Sequence, residues 1–146
     1  MILGIDPANS CGYACSDGSH GVWNLKKSPL VLLWSHLVGM HAATPIQAIG
    51  IEDASFGAIN RKTRAYHSEL LGVVKLFCEL NGVRLFTFKP AEIKSFAVGY
   101  GRAEKQQMVD AANLEFKTNF TIDDNDIVDA LFVLKLTLHR MLSCRK

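Results

Sequence analysis

The sequence predicts an α/β fold in which a mixed five-stranded sheet, with three antiparallel and two parallel strands, is flanked by helices on both faces. Two observations lead to this prediction. Short apolar segments around a tight turn open the chain, and strand and helix patterns then alternate to its end. An antiparallel start followed by β-α-β units is typical of mixed sheets in α/β proteins. The 146 residues, 1–146, are expected to form a single domain.

Three short strands are predicted at the start of the chain. Residues 1–6 form an apolar run that ends in an acid followed by Pro7, which is typical of a buried strand. Residues 11–17 and 20–25 flank "SDGS", a tight-turn sequence, and therefore predict an antiparallel hairpin.

Two helices and the fourth strand follow. The helix predicted at 30–43 has Pro29 near its start and Pro45 just past its end, where proline is tolerated. Residues 46–53 form another apolar strand that ends in acids, and residues 60–81 form a long helix closed by "NG".

The last part of the chain adds one strand and three helices. Residues 83–90 are predicted as a strand that Pro90 ends, followed by a short helix at 91–97 and the glycine loop "VGYG". A helix at 103–116, an acidic loop and a final helix at 125–143 complete the order. Ligands of such sheets bind at the carboxyl ends of the parallel strands.

Composition excludes several classes of protein. With 49% hydrophobic and 21% charged residues, the chain is typical of a soluble globular protein. The longest apolar run, at 29–43, is too short to span a bilayer, and the N-terminus lacks the basic segment of a signal peptide. A cytoplasmic location without membrane contact is expected.

Charge and cysteine content suggest a partner and a redox state. The net charge is only +2, but residues 61–105 carry nine Lys and Arg against four Asp and Glu. This excess favours a polyanionic partner, although a solvated surface would also explain it.

The four cysteines include no C-x-x-C pair, so buried reduced thiols are favoured over a zinc site.

Acidic side chains occur at three places that the fold would bring together. Asp6 ends the first strand and Glu52 ends the fourth, so both lie at one sheet edge if these strands are neighbours. In "TIDDNDIVDALFVL", Asp126 and Asp129 are three residues apart and share one face of a helix. The first turn of this helix could aim both carboxylates at that edge.

Carboxylates gathered in this way need either raised pKa values or a bound cation. Oxygen ligands suit Mg²⁺ or Mn²⁺, and two such ions about 4 Å apart form a phosphoryl-transfer site. Each acid alone has a structural explanation, and helix capping with the helix dipole accounts well for Asp123 and Asp124. The ordered set is more specific than any of its members.

The order of these motifs resembles that of the RuvC family of Holliday junction resolvases, in the ribonuclease H-like superfamily. "ILGIDPANSCGYAC" is similar to the first strand and turn of the family, and "IEDASFGAIN" to its strand-end Glu followed by an aromatic residue and Asn. "LLGVVKLF", "PAEIKSFAVGYGRAEKQQMV" and "NDIVDALFVL" are similar to later family motifs, so the resemblance covers nearly the whole chain. In two departures, Ala8 replaces a family Gly, and Phe56 lies one residue farther from Glu52 than the family pattern has it.

The resemblance implies roles for the residues at matching positions. Asp6, Glu52, Asp126 and Asp129 match carboxylates that bind two Mg²⁺ ions, for which Mn²⁺ can substitute, and Lys105 matches a lysine near the active centre. The expected DNA contacts are Phe56, as a ring that stacks at the unpaired junction centre, Asn60, Lys94 and Lys105, and, from the charge pattern, Arg61, Lys62, Arg64, Lys75, Lys89 and Arg102.

The implied activity is hydrolysis of phosphodiester bonds in four-way DNA junctions, by paired symmetric nicks that leave 5′-phosphates. The resemblance places such an enzyme in a bacterial cell, encoded by the bacterium or by a bacteriophage. The two-fold symmetry of the junction implies a homodimer. The apolar face of helix 60–81, with Leu70, Leu71, Val74 and Phe77, is expected to form its contact, the core, or both.

Three other functions remain open. A nuclease for flaps and forks would use the same chemistry on other branched DNA. A branched-DNA binding protein with little cleavage is disfavoured because all four acids are present. An ATP site of the actin-like and sugar-kinase type is suggested by "GIDPANS", but those proteins are far longer and have two lobes.

Overall fold

The computed structural model of the chain describes residues 1–53 and 60–143. Its strands are β1 Ile2–Asp6, β2 Ser10–Cys15, β3 His20–Asn24, β4 Ala48–Glu52 and β5 Arg84–Phe88. Its helices are α1 Pro29–Ala43, α2 Arg61–Asn81, α3 Pro90–Val98, α4 Lys105–Phe116 and α5 Asn125–Ser143, with a 3₁₀ turn at Ile122–Asp124.

The five strands form one mixed sheet in the order β3-β2-β1-β4-β5. The first three strands are antiparallel neighbours, whereas β4 is parallel to β1 and β5 is parallel to β4. The prediction of three antiparallel plus two parallel strands is confirmed. The parallel pairing of Ile5 with Ile51 aligns the carboxyl ends of β1 and β4 at one edge of the sheet.

Helices cover both faces of this sheet and bury two apolar layers. On one face, α1 and α2 pack against β1 and β4 around Leu3, Ile5, Ile49 and Ile51. On the other face, α5 lies on β1 and β2, and α3 and α4 pack against α5. Burial of each such side chain contributes roughly 1.5–3 kcal/mol. In the two described ranges, no helix combines the length and apolar content needed to cross a bilayer.

The apolar face of α2 belongs to the core. Leu70, Leu71, Val74 and Phe77 are at most 8% exposed, because they face α1 and the sheet within the same chain. The expectation that they contact a second chain is therefore wrong, and the alternative that they form the core is correct. An amphipathic pattern predicts that a face is covered, but it does not indicate which partner covers it.

The acidic loop before α5 is a 3₁₀ turn, which the sequence pattern did not predict. One Asp124 carboxylate oxygen accepts hydrogen bonds from the backbone N–H and the hydroxyl of Thr121, at 2.8 and 3.1 Å. Asp124 therefore closes this turn, in agreement with its capping explanation, and Asp123 is exposed. These two acids lead the chain into α5.

Three cysteines are buried free thiols. Burial raises the pKa of the thiols of Cys11, Cys15 and Cys78, which keeps them protonated at neutral pH. They pack as small apolar side chains, as expected. Cys144 lies outside the described residues.

Candidate active site

Two strand ends place the first two carboxylates side by side. Asp6 is the last residue of β1 and Glu52 is the last residue of β4, and these strands are hydrogen-bonded neighbours running in the same direction. Both side chains are partly buried at the carboxyl edge of the sheet. This is the edge at which α/β sheets present their ligand sites.

The first turns of α5 bring two further carboxylates to the same edge. Val128 and Ala130 of this helix are fully buried, whereas Asp126 and Asp129 remain partly open. Asn125 donates a hydrogen bond of 2.8 Å from its side-chain nitrogen to a carboxylate oxygen of Asp126. This contact orients Asp126 at the start of the helix.

The electrostatics of Asp6 show that the four carboxylates are close together. Burial raises the pKa of Asp6 well above its usual range, and repulsion from Glu52, Asp129 and Asp126 raises it further. Lys105 acts in the opposite direction and lowers the pKa of Asp6. Asp6 therefore lies at the centre of the acidic group.

The pKa values of Glu52 and Asp129 are also raised. Burial, followed by repulsion from Asp129, raises the pKa of Glu52 to about 7. Burial, with a smaller contribution from Asp126, raises the pKa of Asp129 to about 6. Lys94 lowers both pKa values, so this lysine compensates part of the negative charge.

These groups line a cleft of about 180 Å³, which we call the carboxylate cleft. Its polar lining consists of Glu52, Asp129, Lys94, Lys105 and Asn125, and its apolar lining consists of Pro90, Ile93 and Met108. The lysines reach it because Pro90 starts α3 one turn before Lys94, and a capping box between Glu104 and Gln107 starts α4 at Lys105. The cleft thus combines anionic ligands with two cationic groups.

The donor chemistry of this site fits a hard divalent cation. Four carboxylates provide the oxygen ligands that Mg²⁺ and Mn²⁺ prefer, and a bound cation would relieve the repulsion that raises their pKa values. Across residues 1–53 and 60–143, no three Asp, Glu, His or Cys side chains converge into a ready-made cage. The repulsion among the carboxylates and the lack of a ready-made cage are compatible. Carboxylates several ångströms apart repel one another, whereas Mg²⁺ ligands must come within about 2.0–2.1 Å of the ion.

Most of the predicted DNA-contacting residues that the structure describes occupy two regions. Lys94 and Lys105 line the carboxylate cleft, and exposed Arg102 precedes Lys105 in the loop between α3 and α4. Four other candidates are exposed at the start of α2, namely Asn60, Arg61, Lys62 and Arg64. Lys75 is exposed farther along α2, and Lys89 is exposed just before α3. Phe56, the expected stacking residue, lies outside the described residues.

The start of α2 is held beside the loop that follows Asp6. The hydroxyl of Tyr66 donates a hydrogen bond of 2.8 Å to the side-chain oxygen of Asn9. The replacement of Gly by Ala8 in this loop causes no backbone conflict, because Lys117 is the one non-glycine residue with positive φ in the described part of the chain. The basic first turns of α2 therefore lie next to the carboxyl edge of the sheet, where Asp6 ends β1.

Several site residues were missed by the sequence prediction. Asn125 was seen only as a helix start, although its position beside Asp126 was a usable signal. Lys94 was predicted as a DNA contact, but its closeness to Glu52 and Asp129 had no local signal, since those residues belong to distant segments. Asn9 and Tyr66 are likewise joined only by the folded chain.

Comparisons with known proteins give consistent results. No family model matches the chain. The chain is 27% identical over 162 aligned residues to the crossover junction endodeoxyribonuclease RuvC of Heliobacterium modesticaldum, covering 99% of both chains. It is 28% identical over 147 aligned residues to the protein of the same name from Caldicellulosiruptor saccharolyticus, covering 90% of this chain and 88% of that one.

Solved structures share the fold. RuvC of Thermus thermophilus in complex with a Holliday junction substrate aligns with a TM-score of 0.75 at 17% identity, covering 91% of this chain and 89% of that one. The yeast mitochondrial Holliday junction resolvase Ydc2 aligns with a TM-score of 0.57 at 13% identity, covering 91% and 75%. At these identities the structural similarity establishes the ribonuclease H-like fold.

Proposed function

Because the chain belongs to the RuvC family, we propose that it is a metal-dependent endodeoxyribonuclease that resolves four-way DNA junctions. The observation that carries this proposal is the carboxylate cleft, where Glu52 and Asp129 meet Lys94 and Lys105. Asp6 and Asp126 adjoin its two carboxylates and complete the acidic group. The proposed unit is the whole chain, 1–146, as a single nuclease domain in the bacterial cytoplasm, whether encoded by a bacterium or by a bacteriophage.

The four carboxylates are proposed to hold two Mg²⁺ ions, with Mn²⁺ as a substitute. When bound, such ions polarise the scissile phosphate and lower the pKa of the attacking water. Asp6, which lies centrally among the acids, would hold the ions together with Glu52 and the pair Asp126 and Asp129. Asn125 would keep Asp126 oriented through its hydrogen bond.

The two lysines are proposed to offset negative charge on the phosphate and on the carboxylates during hydrolysis. A water oxygen bonds to phosphorus and the bond from phosphorus to the 3′ oxygen breaks, leaving a 5′-phosphate and a 3′-hydroxyl. Lys105 would stabilise negative charge that develops on the phosphate oxygens. Lys94 would favour the ionised, ligand-competent forms of Glu52 and Asp129, because it lowers their pKa values.

The surrounding surface is proposed to hold the DNA backbone. The start of α2, beside the loop that follows Asp6, carries Arg61, Lys62 and Arg64. Arg102 lies in the loop just before Lys105. Cations in these positions bind phosphates without reading sequence. Asn60 and Phe56 are proposed as further contacts, with Phe56 stacking at the junction centre.

Cleavage of synthetic substrates in Mg²⁺ tests the function. The wild type is expected to nick four-way junctions in symmetric pairs, whereas Asp6→Asn should be slower by more than about 100-fold, since even outer-shell partners of metal ligands cost 10–100-fold. Asp123→Asn, which removes an exposed acid near Asp126, is the matched control and should retain full activity.

The same assay separates the other functions. Equal cutting of flaps and four-way junctions would favour a broader branched-DNA nuclease. Tight junction binding without cleavage would favour a binding protein. Cleavage that persists in Asp6→Asn would contradict the proposed site.

A further inference from the structure

Helix α5 lies directly on three glycines from adjacent strands. A Cβ atom added to any of them would overlap α5, so the helix can approach the sheet closely only because these side chains are absent. The contacts, in order along the helix, are Gly12 of β2 with Asp126, Gly4 of β1 with Ala130 and Leu134, and Gly50 of β4 with Thr137.

Gly12 is the contact nearest to the carboxylates. It pairs with Asp6 across β1 and β2, and a Cβ at this position would overlap the backbone carbonyl of Asp126. The backbone cannot rotate away as the tip of a side chain can. The main chain that carries Asp126 therefore rests on the strand residue directly opposite Asp6.

The backbone conformation of Gly12 does not itself require glycine. In the described residues, the glycines with positive φ are Gly18, Gly82 and Gly99, and Gly12 is not one of them. Alanine is thus compatible with the local φ, and its penalty is steric. The absence of a side chain at Gly12 serves the approach of α5.

We propose that Gly12 is a positioning residue. Because it has no side chain, the first turn of α5 packs close to the sheet. This keeps Asp126 and Asp129 within reach of cations held by Asp6 and Glu52. This inference rests on the proposed function of the cleft. Metal–ligand distances tolerate changes of only about 0.2 Å. A displacement large enough to admit a Cβ exceeds that tolerance.

The test needs a background in which Gly12→Ala remains folded. Gly39 in α1 and Gly72 in α2 have no neighbouring atom within 4 Å of an added Cβ. Alanine at each position should stabilise its helix by roughly 0.5–1 kcal/mol. The parent for all variants is therefore Gly39→Ala/Gly72→Ala, and circular dichroism verifies that each variant is folded.

The main measurement is Mn²⁺ affinity by isothermal titration calorimetry, without DNA. Gly12→Ala is expected to weaken binding by about 10–100-fold, as other changes behind metal ligands do. Gly50→Ala overlaps the side chain of Thr137, not the helix backbone, about two turns beyond Asp129, and should retain the affinity of the parent. Gly4→Ala, which presses on the helix just after Asp129, should fall between them.

A rescue experiment separates positioning from general destabilisation. Asp126→Glu adds one methylene, which lengthens the reach of the carboxylate. It should weaken Mn²⁺ binding in the parent but restore part of the affinity in Gly12→Ala, giving a non-additive double-mutant cycle. Loss of stability alone would make the two substitutions additive.

The outcomes distinguish this inference from the function on which it rests. If Gly12→Ala and the parent bind Mn²⁺ equally, or if the two substitutions are additive, the role of Gly12 is overturned while the metal site stands. If Gly12→Ala does not fold even in this background, equal affinities of Gly4→Ala and Gly50→Ala overturn the role. A parent that binds no Mn²⁺ overturns the proposed metal site together with the inference.

Discussion

The partly buried carboxylates of the cleft are unfavourable for the free protein. Burial is the largest cause of the raised pKa of Asp6, Glu52 and Asp129, and mutual repulsion adds to it. Lys94 and Lys105 offset only part of this cost. Residues that destabilise the free chain in this way are typical of functional sites, where a ligand supplies the missing stabilisation.

Stability of the metal-free protein should fall as pH rises. The pKa of Glu52 is 4.5 in an ordinary environment and about 7 in the folded chain, so the folded state retains a proton that the unfolded chain releases. Stability is therefore highest below pH 4.5 for this group and is lost as pH rises through 7, by on the order of 3 kcal/mol at most. The raised pKa of Asp129 has the same effect, and its contribution to stability is lost as pH rises through about 6.

Thermal melts in a metal chelator between pH 5 and 8 measure this effect. We expect the melting temperature to decrease across this range, and Mg²⁺ or Mn²⁺ to restore it mainly at the alkaline end. Glu52→Gln should reduce the pH dependence. A melting temperature that rises from pH 5 to 8 in the chelator would contradict the proposed electrostatics.

Lys105 should affect catalysis more than DNA affinity. It lines the cleft and lowers the pKa of Asp6, Asp126 and Asp129. Lys105→Gln is expected to reduce kcat by about 10²-fold, as removal of a single charge-stabilising donor does elsewhere. Lys27→Gln, an exposed lysine in the loop between β3 and α1, provides the control. An equal decrease of kcat in both variants, or a rise in KM with kcat unchanged, would argue against this role.

At the scale of elements, α5 determines the shape of the site. It is buried on nearly all sides, because the sheet covers one face and α3 and α4 cover much of the other. The glycines beneath it allow this close packing. Its N-terminal turns remain partly open, and these turns carry Asp126 and Asp129.

The start of α2 offers an element-scale test of Asn60. The side-chain oxygen of Asn60 accepts a hydrogen bond of 2.9 Å from the backbone N–H of Thr63, which caps the helix. Asn60→Ala should lower the free energy of unfolding by about 1 kcal/mol, whereas Asn60→Ser should retain most of it. Denaturant melts measure this, and junction binding by both variants then separates capping from DNA contact. Equal stability of the two variants would exclude the capping contribution.

At the scale of the molecule, the two-fold symmetry of a four-way junction favours a homodimer that presents two clefts. Because Leu70 and its neighbours are core, the contact requires other residues. Leu76 and Leu80 are 51% and 66% exposed and lie four residues apart on one side of α2. We propose that they contribute to the dimer contact.

Light scattering coupled to size exclusion tests this arrangement. The wild type is expected to elute as a dimer, and Leu76→Glu/Leu80→Glu as a folded monomer that no longer makes paired nicks. Leu114→Glu, which changes an 85% exposed leucine on α4, is the control and should remain dimeric. A monomeric wild type would contradict the homodimer, and a dimeric double variant would place the contact elsewhere.

The element order and the paired positions of Asp6 and Glu52 followed from the sequence by itself. The mixed sheet is confirmed, and each helix and strand begins and ends close to its predicted limits. These features depend on signals within a few neighbouring residues, such as apolar runs, proline, "NG" and acids at strand ends. The metal and DNA roles of the site residues remain predictions.

Other features were decided only by the tertiary structure. It buries the apolar face of α2 inside the chain, brings Lys94 close to Glu52 and Asp129, and packs the backbone of Asp126 on Gly12. Each of these depends on the distance between segments far apart in the chain, which is set by how the helices pack on the sheet. Local patterns specify that a face is covered or that a charge is present, whereas packing determines which partner it meets.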